Sequence, residues 1–303
     1  MTLSDALNAF LYSRKIRGLS DKTLEGYRIF LTAFIGFLGS DMMANNITQQ
    51  DIDRYIAQLY TRNLSKATIA SYTRHIKVFL TWFAQDNAVQ YNVSKIALPK
   101  VNKSIVHLYS DDEIRLIFSL VTAESEWLVN RNKACIALML DSGLRQAEAC
   151  NVRYDRYDRS KRCLTVCGKG EKDRVVPVGT LSTGYINKYI EQCPFQIDEY
   201  LFLNRRGEPM TANALKLLIH KIAVKVPFEF SCHKLRHNFA TNYCLDMYAH
   251  KGHMDAYSLQ ILLGHSDIQT TMRYIHHATA IVASQASISH LDMIIGSMDT
   301  NEL

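Results

Sequence analysis

Residues 162–178 read RCLTVCGKGEKDRVVPV, and they break the helical rhythm of the chain on either side. Residues 162–167 and 174–178 alternate in the manner of two strands, and GKGEKD between them has the composition of a hairpin turn. Helical patterning resumes from about residue 211. Upstream, residues 134–150 are helical and apolar. Ser110 followed by Asp111, Asp112 and Glu113 is a helix start, a capping residue with acids in the first turn. A small hairpin set among helices predicts an α+β domain over residues 107–303.

The segment before it is different. None of the five prolines precedes Pro99, and residues 1–92 read as helices with short breaks. Leu3, Leu7, Phe10 and Leu11 open the pattern. Ser20 caps a helix burying Leu24, Tyr27, Leu31, Phe34 and Leu38, and Thr48 caps one carrying Ile52, Tyr55, Ile56 and Leu59. Ser65 caps a fourth with Ile69, Tyr72, Ile76, Phe79, Leu80 and Phe83. The aromatic side chains follow the buried spacing, so they read as core and not as platforms for stacking bases. The chain is thus predicted to be mainly α with a small β-sheet. A helical bundle occupies residues 1–97, a basic linker residues 98–106, and the α+β domain the remainder.

The chain has 303 residues with 48% hydrophobic and 21% charged side chains, a globular composition with room for two domains. It contains no apolar run long enough to span a bilayer, and its start does not read as a signal peptide. Seven scattered cysteines without a C-x-x-C pair argue against a disulfide scaffold or a zinc ribbon and for a reducing compartment. Secreted and membrane-embedded classes are excluded. The net charge of +6 is unevenly spread: residues 1–103 hold 13 Lys and Arg against 7 Asp and Glu, and residues 104–303 hold 22 of each. A basic segment joined to a neutral one suits a polyanion gripped by the first and processed by the second, although a solvated basic face has the same composition. Arg62, Lys66, Arg74 and Lys77 around the fourth helix, with Lys95, Lys100 and Lys103 in the linker region, are the candidate phosphate contacts.

Four short stretches in the second domain draw notice together. DSGLRQAEACNV places Arg145 after Gly143 at a helix start, with Glu148 and Asp141 at i+3 and i−4 either to orient it or to form ordinary surface pairs. Lys169 stands between two glycines at the hairpin tip, where a lysine is usually just solvated, and no P-loop pattern surrounds it. HKLRHNFAT sets His233 and Arg236 at i, i+3 on one helix face. In LLGHSDIQTTMRYIH, Gly264 ends a helix, His265 follows, and Ser266 caps the helix carrying Tyr274. His237 completes an H-x-x-x-H with His233, but no Glu lies between them and the adjacent arginine would repel a cation, so no metal site is expected and His237 reads as structural. Tyr274 taken alone is one of 16 tyrosines, and a tyrosine on a capped helix ordinarily packs.

In the order Arg145, Lys169, H-x-x-R, L-G-H and a tyrosine nine residues later, the chain resembles the tyrosine recombinase, or phage integrase, family over nearly its whole length. The resemblance implies a core-site-binding helical domain followed by a catalytic domain, without an arm-site-binding module. It implies a site-specific DNA recombinase for integration or excision of a mobile element or for resolving DNA multimers, using no cofactor. Tyr274 would be the nucleophile that leaves a 3′-phosphotyrosine and a free 5′-hydroxyl. Arg145 and Arg236 would neutralise the phosphate, Lys169 would protonate the leaving oxygen, and His233 and His265 would assist.

The residue types suit that chemistry. Without a metal, phosphodiester cleavage needs a nucleophile, charge neutralisation and an acid, and a guanidinium fork fits a phosphate better than an ammonium does. A topoisomerase-like enzyme, an inert DNA-binding protein and a metal-dependent nuclease are the competing readings. The expected partners are double-stranded DNA and, on two DNA sites, three further copies of the chain, with a monomer in the absence of DNA and a cytoplasmic, nucleoid-associated setting. Ile281, Ile288, Leu291, Ile295 and Met298 form an apolar stripe at the C-terminus, predicting a tail helix over about 280–303 that docks on a neighbouring protomer, or else on its own domain.

Overall fold

Four capped helices build the first unit of the computed structural model, which describes residues 1–100, 107–168 and 173–285. They are α1 (Leu3–Ile16), α2 (Asp21–Leu38), α3 (Gln49–Thr61) and α4 (Lys66–Asp86). Thr2, Ser20, Thr48 and Ser65 each accept a hydrogen bond from the backbone amide three residues on, satisfying an otherwise orphaned donor. Behind the caps, Phe10, Leu31, Phe34, Ile52, Tyr55, Leu59, Ile76, Phe79 and Leu80 are fully or almost fully buried in one core. Phe10 meets Tyr27 and Phe79 edge-on at 5.1 and 5.5 Å between ring centres, the geometry favoured by aromatic quadrupoles. The aromatic stripes therefore belong to the core.

The chain divides into two units, Met1–Ser104 and Ile105–Leu303. In the second, α5 (Asp111–Ser119) begins at a reciprocal box between Ser110 and Glu113. It is followed by α6 (Glu126–Ser142) and α7 (Gln146–Cys150). The antiparallel sheet has the order β1–β2–β3, with β1 at Tyr157–Asp158, β2 at Cys163–Cys167 and β3 at Asp173–Pro177. Leu164 pairs with Val176 and Val166 with Arg174, so these four side chains face inward. Then come α8 (Thr180–Gln192), α9 (Ala212–Ala223), α10 (Cys232–Lys251), α11 (Ala256–Leu263) and α12 (Ile268–Gln285). The interior of α6, from Ala134 to Met139, is buried and anchors the larger core. A smaller core joins Phe239 and Cys244 of α10, Leu259 and Leu263 of α11, and Tyr274 and Ala278 of α12.

Several local expectations are corrected. Residues 134–150 are not one helix: Gly143, at φ +61°, ends α6 in the left-handed region, and Arg145 is the N-cap of α7. Helical structure returns before residue 211, because α8 was masked in the pattern by Gly184 and by a stripe of only Ser182, Ile186 and Tyr189 on its buried side. Asp267, not Ser266, caps α12, its Oδ1 accepting from the Gln269 amide at 3.0 Å. The two-residue β1 had no readable period. All seven cysteines are free thiols. The apolar stripe of the tail begins inside α12 at Ile281, and residues 286–303 lie outside the described residues, as do Lys103 and Lys169.

Candidate active site

The C-terminal end of α11 organises the site. A helix leaves its last carbonyls without intrahelical partners and carries a partial negative charge there, so it attracts cationic donors. Here three consecutive carbonyls are each taken by a different arginine. Leu262 O accepts from Arg174 Nε at 2.8 Å, Leu263 O from Arg236 Nη2 at 2.7 Å, and Gly264 O from Arg145 Nη2 at 2.8 Å. Gly264, at φ +62°, turns the chain in the left-handed region that glycine tolerates. Arg236 Nη1 donates to Gly143 O at 2.7 Å, joining the end of α6 to the same knot.

The three guanidiniums share one carboxylate. Glu148 Oε1 accepts from Arg145 Nη1 at 2.8 Å and Arg174 Nη1 at 3.0 Å, and Oε2 accepts from Arg174 Nη2 and the Arg145 amide, both at 2.7 Å. Arg236 Nη1 stands 3.8 Å from Oε2. Burial pushes the Glu148 carboxyl upward, but the hydrogen bonds from Arg174 and Arg145 and the charge of Arg174 outweigh it and hold its pKa below the usual carboxylate range. Burial and the Arg145 charge lower Arg236 to about 10, so it remains a cation at neutral pH. The side chains of Glu148, Arg174 and Arg236 are 8%, 6% and 4% exposed, whereas Arg145 is 39% exposed. One open guanidinium over a buried, net positive cluster is a receptor for an anion.

Tyr274 lies beside this cluster, 6% exposed. Burial raises its phenol, while the charges of Arg236, Arg273 and Arg145 pull the other way without cancelling the rise. The His265 ring stacks on it with ring centres 6.2 Å apart and planes 14° from parallel, and His265 Nδ1 is hydrogen-bonded to Thr271 Oγ1 at 2.9 Å. His237 packs against Tyr274 at 5.3 Å and against His233 at 4.0 Å. Burial, followed by the Arg236 and Arg145 charges, lowers His265 to about 4. Burial with the neighbouring His233 and Lys234 lowers His237 to about 4 as well. His233, at the exposed rim, is also lowered, by its protein surroundings and by Arg236.

Of the candidate catalytic residues, Arg145, His233, Arg236, His265 and Tyr274 come together within this unit, and Lys169 is outside the described residues. Of the candidate phosphate contacts, Arg62 and Lys66 flank the α3–α4 turn, Arg74 is exposed on α4, and Lys95 and Lys100 are exposed beyond it. Lys77 differs: half-buried, its Nζ donates to Ile96 O at 2.8 Å, which engages the ammonium in holding the segment after α4. Asp141 does not reach Arg145; it accepts from Ser182 Oγ on α8, its carboxylate filling the space beside Gly179. Glu148 is the orienting partner. Arg174 was missed, although its phase was readable: in DRVVP it shares the inward positions with Val176, and a charge at an inward strand position needs a partner. Among the described residues no three His, Cys, Asp or Glu side chains converge as metal ligands, and no helix is long and apolar enough to cross a membrane.

Residues 108–280 match the phage integrase family, and residues 6–90 match the phage integrase N-terminal SAM-like domain. The tyrosine recombinase XerC of Staphylococcus epidermidis is 29% identical over 275 residues, covering 88% of this chain and 90% of the relative. Among solved structures, XerH recombinase bound to a palindromic difH substrate aligns with a TM-score of 0.72 at 20% identity, over 94% of this chain and 84% of the other. A lambda integrase dimer bound to a core site aligns with a TM-score of 0.72 at 19% identity, over 90% and 95%. At these identities the structural likeness speaks for the fold.

Proposed function

The chain belongs to the phage integrase family, and on that footing we propose that it is a site-specific recombinase that cuts and rejoins DNA strands through a covalent 3′-phosphotyrosine. One observation carries the assignment of its residues: Arg145, Arg236, His265 and Tyr274, drawn from stretches far apart in sequence, gather at the end of α11. The Tyr274 oxygen attacks the scissile phosphorus, the bond to the 5′-oxygen breaks, and the phosphate stays on the enzyme. Because the ester bond is conserved, a different 5′-hydroxyl reverses the step without an external energy source. Arg145 and Arg236 present donors to the non-bridging oxygens. His265, its Nδ1 engaged by Thr271, is left with Nε2 for a phosphate oxygen. His233, neutral at pH 7, takes the phenol proton, and Lys169 supplies one to the departing 5′-oxygen, a role that rests on the family pattern alone.

The partners follow: double-stranded DNA and, for exchange between two sites, four copies of the chain. The biological task is integration or excision of a mobile element, or resolution of DNA multimers. Seven free thiols and the bacterial relatives support a cytoplasmic setting. The test is a nicked target DNA incubated with the full chain in EDTA, followed by denaturing electrophoresis. A protein–DNA adduct that forms without metal and vanishes in Tyr274→Phe is the expected result. An adduct that needs a divalent metal, or one that persists in Tyr274→Phe, overturns the reading.

A further inference from the structure

The proposed chemistry employs two arginines and leaves the third, Arg174, without a part. It stands on β3 opposite Val166 with its side chain buried. Its fork spans both oxygens of Glu148 at 3.0 and 2.7 Å while its Nε holds Leu262 O at 2.8 Å, so all three kinds of guanidinium nitrogen are used within the protein. A Cβ placed on Gly264 would come within 3.1 Å of Arg174 Nη1, so the final turn of α11 rests on this side chain. Nothing remains exposed with which to grip DNA.

Stability is a poor account of such a pair, because a buried ion pair replaced by well-packed apolar side chains is often neutral or better. Charge is a better one. Arg145, Arg174 and Arg236 with Glu148 sum to +2. A phosphodiester carries one negative charge, and the five-coordinate state formed when phenolate oxygen adds to it carries two. Without Arg174 the cluster falls to +1, and Glu148 is released to draw on Arg236, already 3.8 Å away, and on Arg145. Each of their terminal nitrogens already gives one hydrogen to the protein, Arg145 to Glu148 and Gly264 O and Arg236 to Gly143 O and Leu263 O. A released Glu148 would take from the hydrogens that are left for a phosphate.

We propose that Arg174 is a positioning residue for strand cleavage: it occupies Glu148 and the end of α11 so that Arg145 and Arg236 keep charge and donors for the scissile phosphate. This inference rests on the recombinase reading, and its test separates the two. Nicked target DNA is prepared with an ordinary scissile phosphate and with a methylphosphonate, which carries one negative charge fewer. Adduct formation by the full chain is compared with that of Arg174→Met, which keeps bulk and loses charge.

DNA affinity should stay within about threefold of the parent, since the side chain touches no solvent-facing phosphate. Adduct formation on the ordinary phosphate should fall about 100-fold, the scale of a lost transition-state donor. On the methylphosphonate the deficit should shrink by about tenfold or more, because less charge must be balanced. A deficit of equal size on both substrates would mark Arg174 as a fold residue only and overturn the inference, as would parent-like cleavage of the ordinary phosphate. If Arg174→Met does not fold, Arg174→Lys takes its place. It keeps the charge but loses the fork, part of Glu148 returns to Arg145 and Arg236, and its smaller deficit must likewise shrink on the methylphosphonate. Absence of an adduct from the parent chain on either DNA is a separate failure, that of the recombinase reading itself.

Discussion

Tyr274 is a phenol kept out of water next to a cluster of arginines whose charge one carboxylate only partly balances. Burial raises its pKa, so in the free protein it stays protonated at neutral pH and needs a base. The neighbouring imidazoles are neutral for the same physical reason. His237 and His265 sit near 4 in the folded chain, against about 6.5 when unfolded. As pH falls below 6.5 the unfolded chain takes up protons that the folded chain refuses, so stability declines progressively from pH 6.5 toward 4. A series of thermal midpoints should show this decline, and His237→Phe, which keeps an aromatic ring against Tyr274, should flatten it. Gly143 makes a different demand. At φ +61° a Cβ there would lie 2.3 Å from Phe239 Cδ1 and 3.0 Å from Leu263 Cδ2. Gly143→Ala should cost roughly 2 kcal/mol or more in denaturant unfolding, through left-handed strain and overpacking together. It should also slow adduct formation, because Gly143 O holds Arg236.

At the scale of elements, α10 and α11 decide what the arginines can do. Helix α10 starts at the Ser231 cap, so His233 lies in its first turn at the exposed rim, while Arg236, on the same face one turn further along, is 4% exposed inside. Helix α11 then ends where the guanidiniums arrive, and its orphaned carbonyls and Glu148 make the burial of Arg174 and Arg236 beside the open Arg145 tolerable. Removing the carboxylate leaves them uncompensated. Glu148→Ala should therefore destabilise the chain by about 3–5 kcal/mol, the penalty for breaking a buried ion pair from one side. Ser231→Ala removes only a helix cap and should cost about 1 kcal/mol. Chemical denaturation of the two variants side by side checks the ranking; equal losses would mean that Glu148 contributes no more than a cap.

For the whole molecule, two units that share no hydrophobic cluster and an uneven charge distribution lead to linked expectations. Each of Met1–Ser104 and Ile105–Leu303 has its own buried cluster, so each should fold when expressed alone and unfold cooperatively. The excess of positive charge falls in residues 1–103. The isolated first unit should bind duplex DNA, and its log affinity should drop steeply and linearly with log salt as condensed counterions are no longer released. Titration by fluorescence anisotropy at several ionic strengths measures the slope. A flat slope, or no binding by the first unit, would remove the charge argument.

Sequence by itself determined what depends on neighbours along the chain. Caps at Ser20, Thr48, Ser65 and Ser110, the helical stripes behind them and the period of the hairpin strands are local patterns, and local backbone physics reads them directly. The ordered set of Arg145, H-x-x-R, L-G-H and Tyr274 was legible for a related reason, since each motif is a short run on a single element. Tertiary structure decided the rest. Helix α8 was hidden because its buried stripe is sparse and interrupted by a glycine, and only the packing of α6 against it makes that stripe sufficient. Lys77 read as a phosphate contact, and only the tertiary structure shows that its ammonium also donates to a carbonyl 19 residues away. The pairing of Glu148 with Arg174, 26 residues apart, and the union of three arginines on one helix end have no local signature. They exist because a buried charge must find its partner in space, and space is what the linear order of residues leaves out.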